Sequence, residues 1–155
     1  MPNYYTNAEG QLFVDPIVAN HAGLTEITQE QFNQIIADRN KPTTDQLLQR
    51  LTQARKEQER QGVTINGIRY AGDPSNRQAL QEAIAFMDDA GLTEFESWKD
   101  SDNVFHANHP LVDVVDAYQS IGARRAQLIA TEGEYAAQIT GGTFTDLSFV
   151  TWPGH

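Results

Sequence analysis

Apolar residues recur with two different periods along this chain, and the switch between them divides it into strands and helices. Tyr4-Tyr5-Thr6 and Gln11-Leu12-Phe13-Val14 are short β-prone runs either side of the turn cluster Asn7-Ala8-Glu9-Gly10, and they predict a small N-terminal β-hairpin. Asp15-Pro16 ends the second strand, and His21-Ala22-Gly23 reads as loop. Thr28 and Gln31 are spaced as a capping box, followed by a short helix with Phe32, Ile35 and Ile36 on one face and Arg39-Asn40-Lys41-Pro42 as its stop. Thr43-Thr44-Asp45 caps a second helix to about Arg60, with an apolar stripe of Leu47, Leu48, Leu51 and Ala54 confined to its first half. Its second half, Arg55 to Arg60, is polar all round, the pattern of a solvated spacer between packed units.

Val63-Thr64-Ile65 and Ile68-Arg69-Tyr70 flank Asn66-Gly67, the pair that best tolerates the positive φ angles of a tight hairpin turn. After Asp73-Pro74-Ser75 an amphipathic helix is expected from Arg77 to Ala90, with Leu80, Ile84 and Met87 on one face and Gly91 as its C-cap. Phe95 to Lys99 alternates as a half-buried strand, Asp100 to Asn103 is a turn, and Val104 to Ala107 is the return strand. From His109-Pro110 a long helix is predicted to about Ile139. Steps of four and three select Val114, Tyr118, Ile121, Arg125, Leu128, Glu132, Tyr135 and Ile139 along it, a heptad spacing that suits either a core face or a self-associating face. Gly141-Gly142 breaks the chain, and the tail from Thr143 to Pro153 alternates as an extended strand through Phe144, Phe149 and Trp152.

The expected fold class is α+β, organised as an attachment segment over 1–42, a helical spacer over 43–62, an α+β domain over 63–140 and an extended tail over 141–155. The candidate interaction surface is the stripe Val114, Tyr118, Ile121, Leu128, Tyr135 and Ile139 together with Phe144, Phe149 and Trp152. A tail strand without a neighbour in sequence can return to the N-terminal hairpin or add to a sheet edge on another molecule.

Charge narrows the partners. A formal net charge of −10 over 155 residues repels phosphate, so neither nucleic acid nor an anionic membrane is expected as a partner. The absence of cysteine excludes disulfides and thiolate chemistry. The start Met1-Pro2-Asn3-Tyr4 has neither the basic nor the apolar run of a signal peptide, and no stretch approaches a membrane span, so a cytoplasmic, soluble chain is expected.

Candidate chemistry is sparse. His106-x-x-His109 beside Asp100 and Asp102 is the best metal-like grouping, but the spacing brings two imidazoles together only on a helix or in a tight turn, and a third ligand is missing. Asp100-Ser101-Asp102-Asn103 opens like a calcium loop and lacks the glycine and later glutamate that complete one. No nucleophile elbow, Walker loop or dinucleotide fingerprint is present. No catalytic, cofactor-binding or metal residue is therefore assigned, and the expectation is a non-enzymatic module. A small metal-dependent enzyme built on the His106/His109 loop is the competing class, and an acidic host-directed regulator is a third.

Val63 to Tyr70, then Ser75-Asn76-Arg77 opening a helix, then Trp98-Lys99 and Asp100, resemble over residues 45–140 an uncharacterised domain of bacteriophage tail proteins, domain of unknown function 4376. The front end, with its tyrosine-rich strand and Gly23-Leu24-Thr25-Glu26-Ile27-Thr28-Gln29-Glu30-Gln31-Phe32, resembles phage tail-fibre assembly proteins, as does the ending Val150-Thr151-Trp152-Pro153. The resemblance implies a non-enzymatic tail-associated protein that attaches or assembles fibres. It would act either as an adaptor retained in the virion tail or as a transient assembly chaperone in the host cytoplasm. Its partner would be a tail or tail-fibre protein, in a homo-oligomer or a hetero-assembly, and no cofactor is implied.

Overall fold

The computed structural model describes residues 1–15 and 22–154; Pro16 and His21, read above as a strand end and a loop, lie outside the described residues, as does His155. The architecture is α+β, in two compact units, Met1–Pro42 and Thr43–His155.

The first unit is a three-stranded antiparallel sheet with one helix. Strands β1 (Tyr4–Asn7), β2 (Leu12–Val14) and β3 (Leu24–Ile27) lie in the order β2-β1-β3. The hairpin is as expected; β3 is an addition, because Leu24-Thr25-Glu26-Ile27 is too short and too polar to declare itself until β1 offers it a free edge. Helix α1 (Gln29–Arg39) begins with the expected capping box: Gln31 N–H donates to Thr28 Oγ1 at 3.1 Å and Thr28 N–H to the Gln31 side chain at 2.9 Å. Phe32 packs on Tyr4 with ring centroids 4.6 Å apart, and Arg39 donates back to the carbonyl of Gly10. No described residue of this unit is fully buried.

The second unit is built around helix α4 (Leu111–Thr140). Helix α2 (Thr44–Gln61) packs along it, as does α3 (Pro74–Ala90), and two antiparallel hairpins close one end. The first hairpin pairs β4 (Val63–Ile65) with β5 (Ile68–Tyr70) through Asn66 and Gly67, both at the positive φ that the turn demands (50° and 81°). The second pairs β6 (Glu94–Lys99) with β7 (Phe105–Pro110). Asp73 caps α3 and accepts from Asn76 N–H, so Pro74 occupies the first helical turn and the helix starts earlier than Arg77, where a proline ring fits without loss. Gly62 and Gly72 bring the end of α2 against the end of the first hairpin: a Cβ on Gly62 would lie 1.8 Å from the Tyr70 carbonyl oxygen and one on Gly72 2.1 Å from that of Glu59.

Two apolar clusters hold this unit. Tyr70, Leu80, Val114, Ala117 and Ile121 form one, with Trp98, Phe95 and the first hairpin against it. Leu47, Leu51 and Ile139 form the other, and Phe144, Leu147, Val150 and Trp152 pack on it. Three expectations change here. The heptad stripe is core, since Val114, Ile121, Leu128 and Ile139 are buried by α2, α3, the hairpins and the tail of the same chain. Its phase also differs: Ala117 and Arg124 are buried where the spacing predicts Tyr118 and Arg125, because the buried face follows steps of three and then four from Val114, which are equally neighbours on a helix surface. The second half of α2 is not a solvated spacer, because Arg55 and Glu59 are turned onto α4 with only 12% and 7% of their side chains exposed.

The tail, residues 141–154, is not a strand. It forms turns and irregular backbone that run back over α2 and α4, because the apolar side chains that alternate along it find the second cluster within the same chain. Leu128→Ala is expected to cost about 2–5 kcal/mol and exposed Ile129→Ala within about 0.5, read from urea midpoints; equal effects would remove Leu128 from the core.

Candidate functional site

The His-x-x-His segment lies on β7, not in a loop or on a helix. On a regular strand, residues three apart point to opposite faces. Here Asn108 takes φ 50°, the ladder skips the Glu96–Asn108 pair, and the pairs Phe95–His109 and Trp98–His106 both turn inward. This local break in the ladder, with the register unchanged on either side, brings together two imidazoles that their spacing alone would separate, with ring centroids 6.0 Å apart.

Each imidazole is already engaged. His109 is 3% exposed, stacks on Trp98 at 5.6 Å and 22°, and lies with Nε2 2.6 Å from the Tyr70 hydroxyl. Burial pushes the His109 pKa down, the nearby Asp113 opposing and His106 adding to the shift. Burial, with Asp113 and Asp100 behind it, raises Tyr70 to about 12. Both directions favour a neutral pair, a protonated hydroxyl beside an uncharged imidazole; with the ring proton on Nδ1, the hydroxyl donates to Nε2. His106 Nε2 donates to Asp100 Oδ2 at 2.8 Å, and this bond, ahead of the backbone N–H of Val104, holds the Asp100 carboxyl below its ordinary value. The other Asp100 oxygen accepts from Asp102 N–H at 2.8 Å and Val104 N–H at 2.9 Å. The calcium-loop-like stretch is therefore the closing turn of the second hairpin, its first carboxylate spent on the turn itself. Arg69 completes the corner by donating from Nε and Nη2 to Asp102, tying the first hairpin to the second. The Trp98 indole N–H is buried with no acceptor.

Among the described residues, no three His, Cys, Asp or Glu side chains converge as ligands for a metal. What the cluster can do chemically is hold two hairpins in register through a buried aromatic–imidazole contact.

A second polar grouping escaped the sequence reading. The Glu59 carboxylate, at the end of α2, takes Arg55 of its own helix, Arg77 of α3 at 3.5 Å and Arg125 of α4 at 3.3 Å. Arg55 also meets Glu132, whose other oxygen accepts from Thr52 at 2.6 Å. Arg124 is 7% exposed and has no carboxylate partner among the described residues; Nη1 donates to the carbonyls of Pro153 at 3.0 Å and Gly154 at 2.8 Å, Nη2 reaches Gln58 at 3.4 Å, and burial lowers its pKa. The signal in sequence was a charge at a core position of the long helix, read one residue too late.

Of the expected interaction residues, Val114, Ile121, Leu128 and Ile139 face the interior. Tyr118 is half-buried beside the first cluster, and Tyr135, Phe144 and Trp152 are half-buried in the second. Phe149 alone of the set is open to solvent, at 63%. The structure thus gathers Tyr135, Ile139, Phe144 and Trp152 in one place and separates them from Val114, Tyr118 and Ile121.

Residues 42–151 match the family described as Domain of unknown function (DUF4376), and the chain belongs to that family. The match starts at the division between the two compact units and runs through Thr151, so the returning tail is part of the family domain. Neither the curated proteins nor the solved structures compared with the chain give a match. No helix among the described residues is long and apolar enough to cross a membrane.

Because the folded pKa of His109 lies below its ordinary 6.5, its contribution to stability is complete above about pH 6.5 and is lost as pH falls through the folded value. Denaturant midpoints of the intact chain should therefore drop between pH 7 and 5, and His109→Gln should flatten that drop; an unchanged slope would assign it to other groups. Tyr70→Phe, which leaves Nε2 buried without a donor, should cost about 1–3 kcal/mol at pH 7.

Proposed function

We propose that this member of the family is a non-enzymatic structural protein of a bacteriophage tail, whose first unit attaches to a tail or tail-fibre protein while the family domain serves as the rigid body. The observation that carries this reading is the contrast in burial between the two units. The second unit has two buried clusters, and its histidines and most of its inward charges are satisfied internally. The first has three short strands and one helix and buries no described residue completely. A sheet that small gains much of its stability only when another surface covers it. Its apolar side chains Tyr4, Phe32, Ile35 and Ile36 remain half-buried or exposed, which suits a docking element. The resemblance of residues 23–32 to tail-fibre assembly proteins names the partner class, and the resemblance of residues 45–140 to an uncharacterised domain of phage tail proteins suggests the same source. Phe86 and Phe105, 64% and 69% exposed on the second unit, offer further apolar contact points.

Retention in the virion is favoured over a transient chaperone role by the well-packed 30-residue α4 and the returning tail, which suit a permanent position. The test mixes the intact chain with a tail-fibre protein from the same source and measures mass by light scattering. A stoichiometric complex is expected, weakened about tenfold or more by Ile36→Glu, a substitution at a 38% exposed site on α1. A chain that ignores the fibre protein defeats the attachment reading. Mass spectrometry of purified particles then separates adaptor from chaperone, the adaptor reading requiring the chain to be present.

A further inference from the structure

The returning tail behaves as a ligand bound in a groove. Helices α2 and α4 run antiparallel, with Leu47 beside Ile139, Thr52 and Arg55 beside Glu132, and Gln58 beside Arg124. Along the seam between them Phe144, Leu147, Val150 and Trp152 cover Leu47, Leu48, Leu51, Tyr135 and Ile139. Two polar clasps fix the strap. The Tyr135 hydroxyl donates to the Phe149 carbonyl at 3.2 Å and accepts from Thr151 N–H at 3.1 Å, and Arg124 takes the carbonyls of Pro153 and Gly154. From Ile139 back to Arg124 is fifteen residues of helix, about 22 Å, a span the strap covers without full extension.

The strap carries no secondary structure of its own beyond turns, and its apolar side chains are only half-buried. It is joined to α4 by Gly141 and Gly142. There Gly142 N–H donates to Ile139 O and Thr143 N–H to Gln138 O, with Gly142 at φ 76°, a helix-ending turn that depends on a left-handed residue. Rotation at these two glycines alone would swing the strap out and lose no contact inside α4.

We propose that the α2–α4 groove is an exchangeable docking site and that its occupant is the 143–154 strap of a second copy of this chain, giving reciprocal strap-exchanged pairs. Apart from the turn at Gly141 and Gly142, the contacts of the exchanged pair are those already made within a single chain, so the observed closed form supplies their complementarity. What opposes exchange is the high effective concentration of a chain's own strap, and side-by-side copies in an assembly reach comparable local concentrations. The buried Arg124, which also reaches Gln58 of α2, adds a backbone clasp to the seat by donating to the carbonyls of Pro153 and Gly154. The inference rests on the second unit alone and survives or fails independently of the phage-tail reading.

Because the chain has no cysteine, single thiols can be introduced for labelling at exposed positions. Full-length chains with Gln49→Cys on α2, carrying a donor dye, are mixed with chains with Thr145→Cys on the strap, carrying an acceptor. Exchange predicts intermolecular energy transfer that rises with protein concentration, in a species of about twice 17.3 kDa by light scattering. Gly142→Pro, which forbids the left-handed turn, should raise the paired fraction about tenfold or more at fixed concentration. A single-chain mass up to millimolar concentration overturns the proposal, and so does a pair that shows no transfer. Should Gly142→Pro fail to fold, the two labelled chains with native glycines decide the matter by themselves.

Discussion

The carboxylate of Glu59 is the contact on which the arrangement of the family domain depends. It sits where α2 ends, beside the close backbone approach of Gly62 and Gly72, and it meets a guanidinium from each of three helices. A buried charge is costly to desolvate, and this one is tolerated because three cations surround it; removing one partner of such a grouping commonly costs about 3–5 kcal/mol, whereas replacing the whole set with well-packed apolar residues can be neutral. Its value is therefore geometric. It sets which turns of α2, α3 and α4 face one another, and so where the first hairpin leaves α2 and where the groove for the strap lies.

Around that junction the domain ties its elements together with further polar contacts. Tyr70, His109, Trp98 and His106 join the two hairpins, Asp100 folds the turn between β6 and β7, and Arg69 of β5 ties the first hairpin to that turn through Asp102. In an acidic chain, Arg55, Arg77 and Arg125 lie against two carboxylates, Glu59 and Glu132, with the buried Arg124 beside them. Arg124 is the one among them that turns to backbone carbonyls instead, and this links the helix pair to the strap.

Much of the local structure was legible because it is decided within a few residues. Asn66-Gly67 imposes its turn through the φ angles the two residues accept, and Thr28 and Gln31 cap α1 through hydrogen bonds three residues apart. The long helix was equally clear, because thirty residues of periodic apolar pattern have no competing solution. The break in the ladder at Asn108 was not legible: an asparagine in the left-handed region is a choice made by the pairing of β6 with β7, and with it came the inward turn of both histidines.

The sequence by itself determined the α+β class, most element positions and the apolar character of the α4 stripe and the tail, because these follow from backbone preferences and periodicity. Only the tertiary structure decided what those apolar faces meet. The same pattern on Val114, Ile121, Leu128 and Ile139 serves a core or an interface equally well, and it becomes core because α2, α3 and the strap fold onto it. Likewise the polar run from Arg55 to Glu59 reads as solvated until charges distant in sequence, on α3 and α4, are brought within reach. Periodicity reports which face of an element is apolar; the partner that covers it is a property of the folded chain.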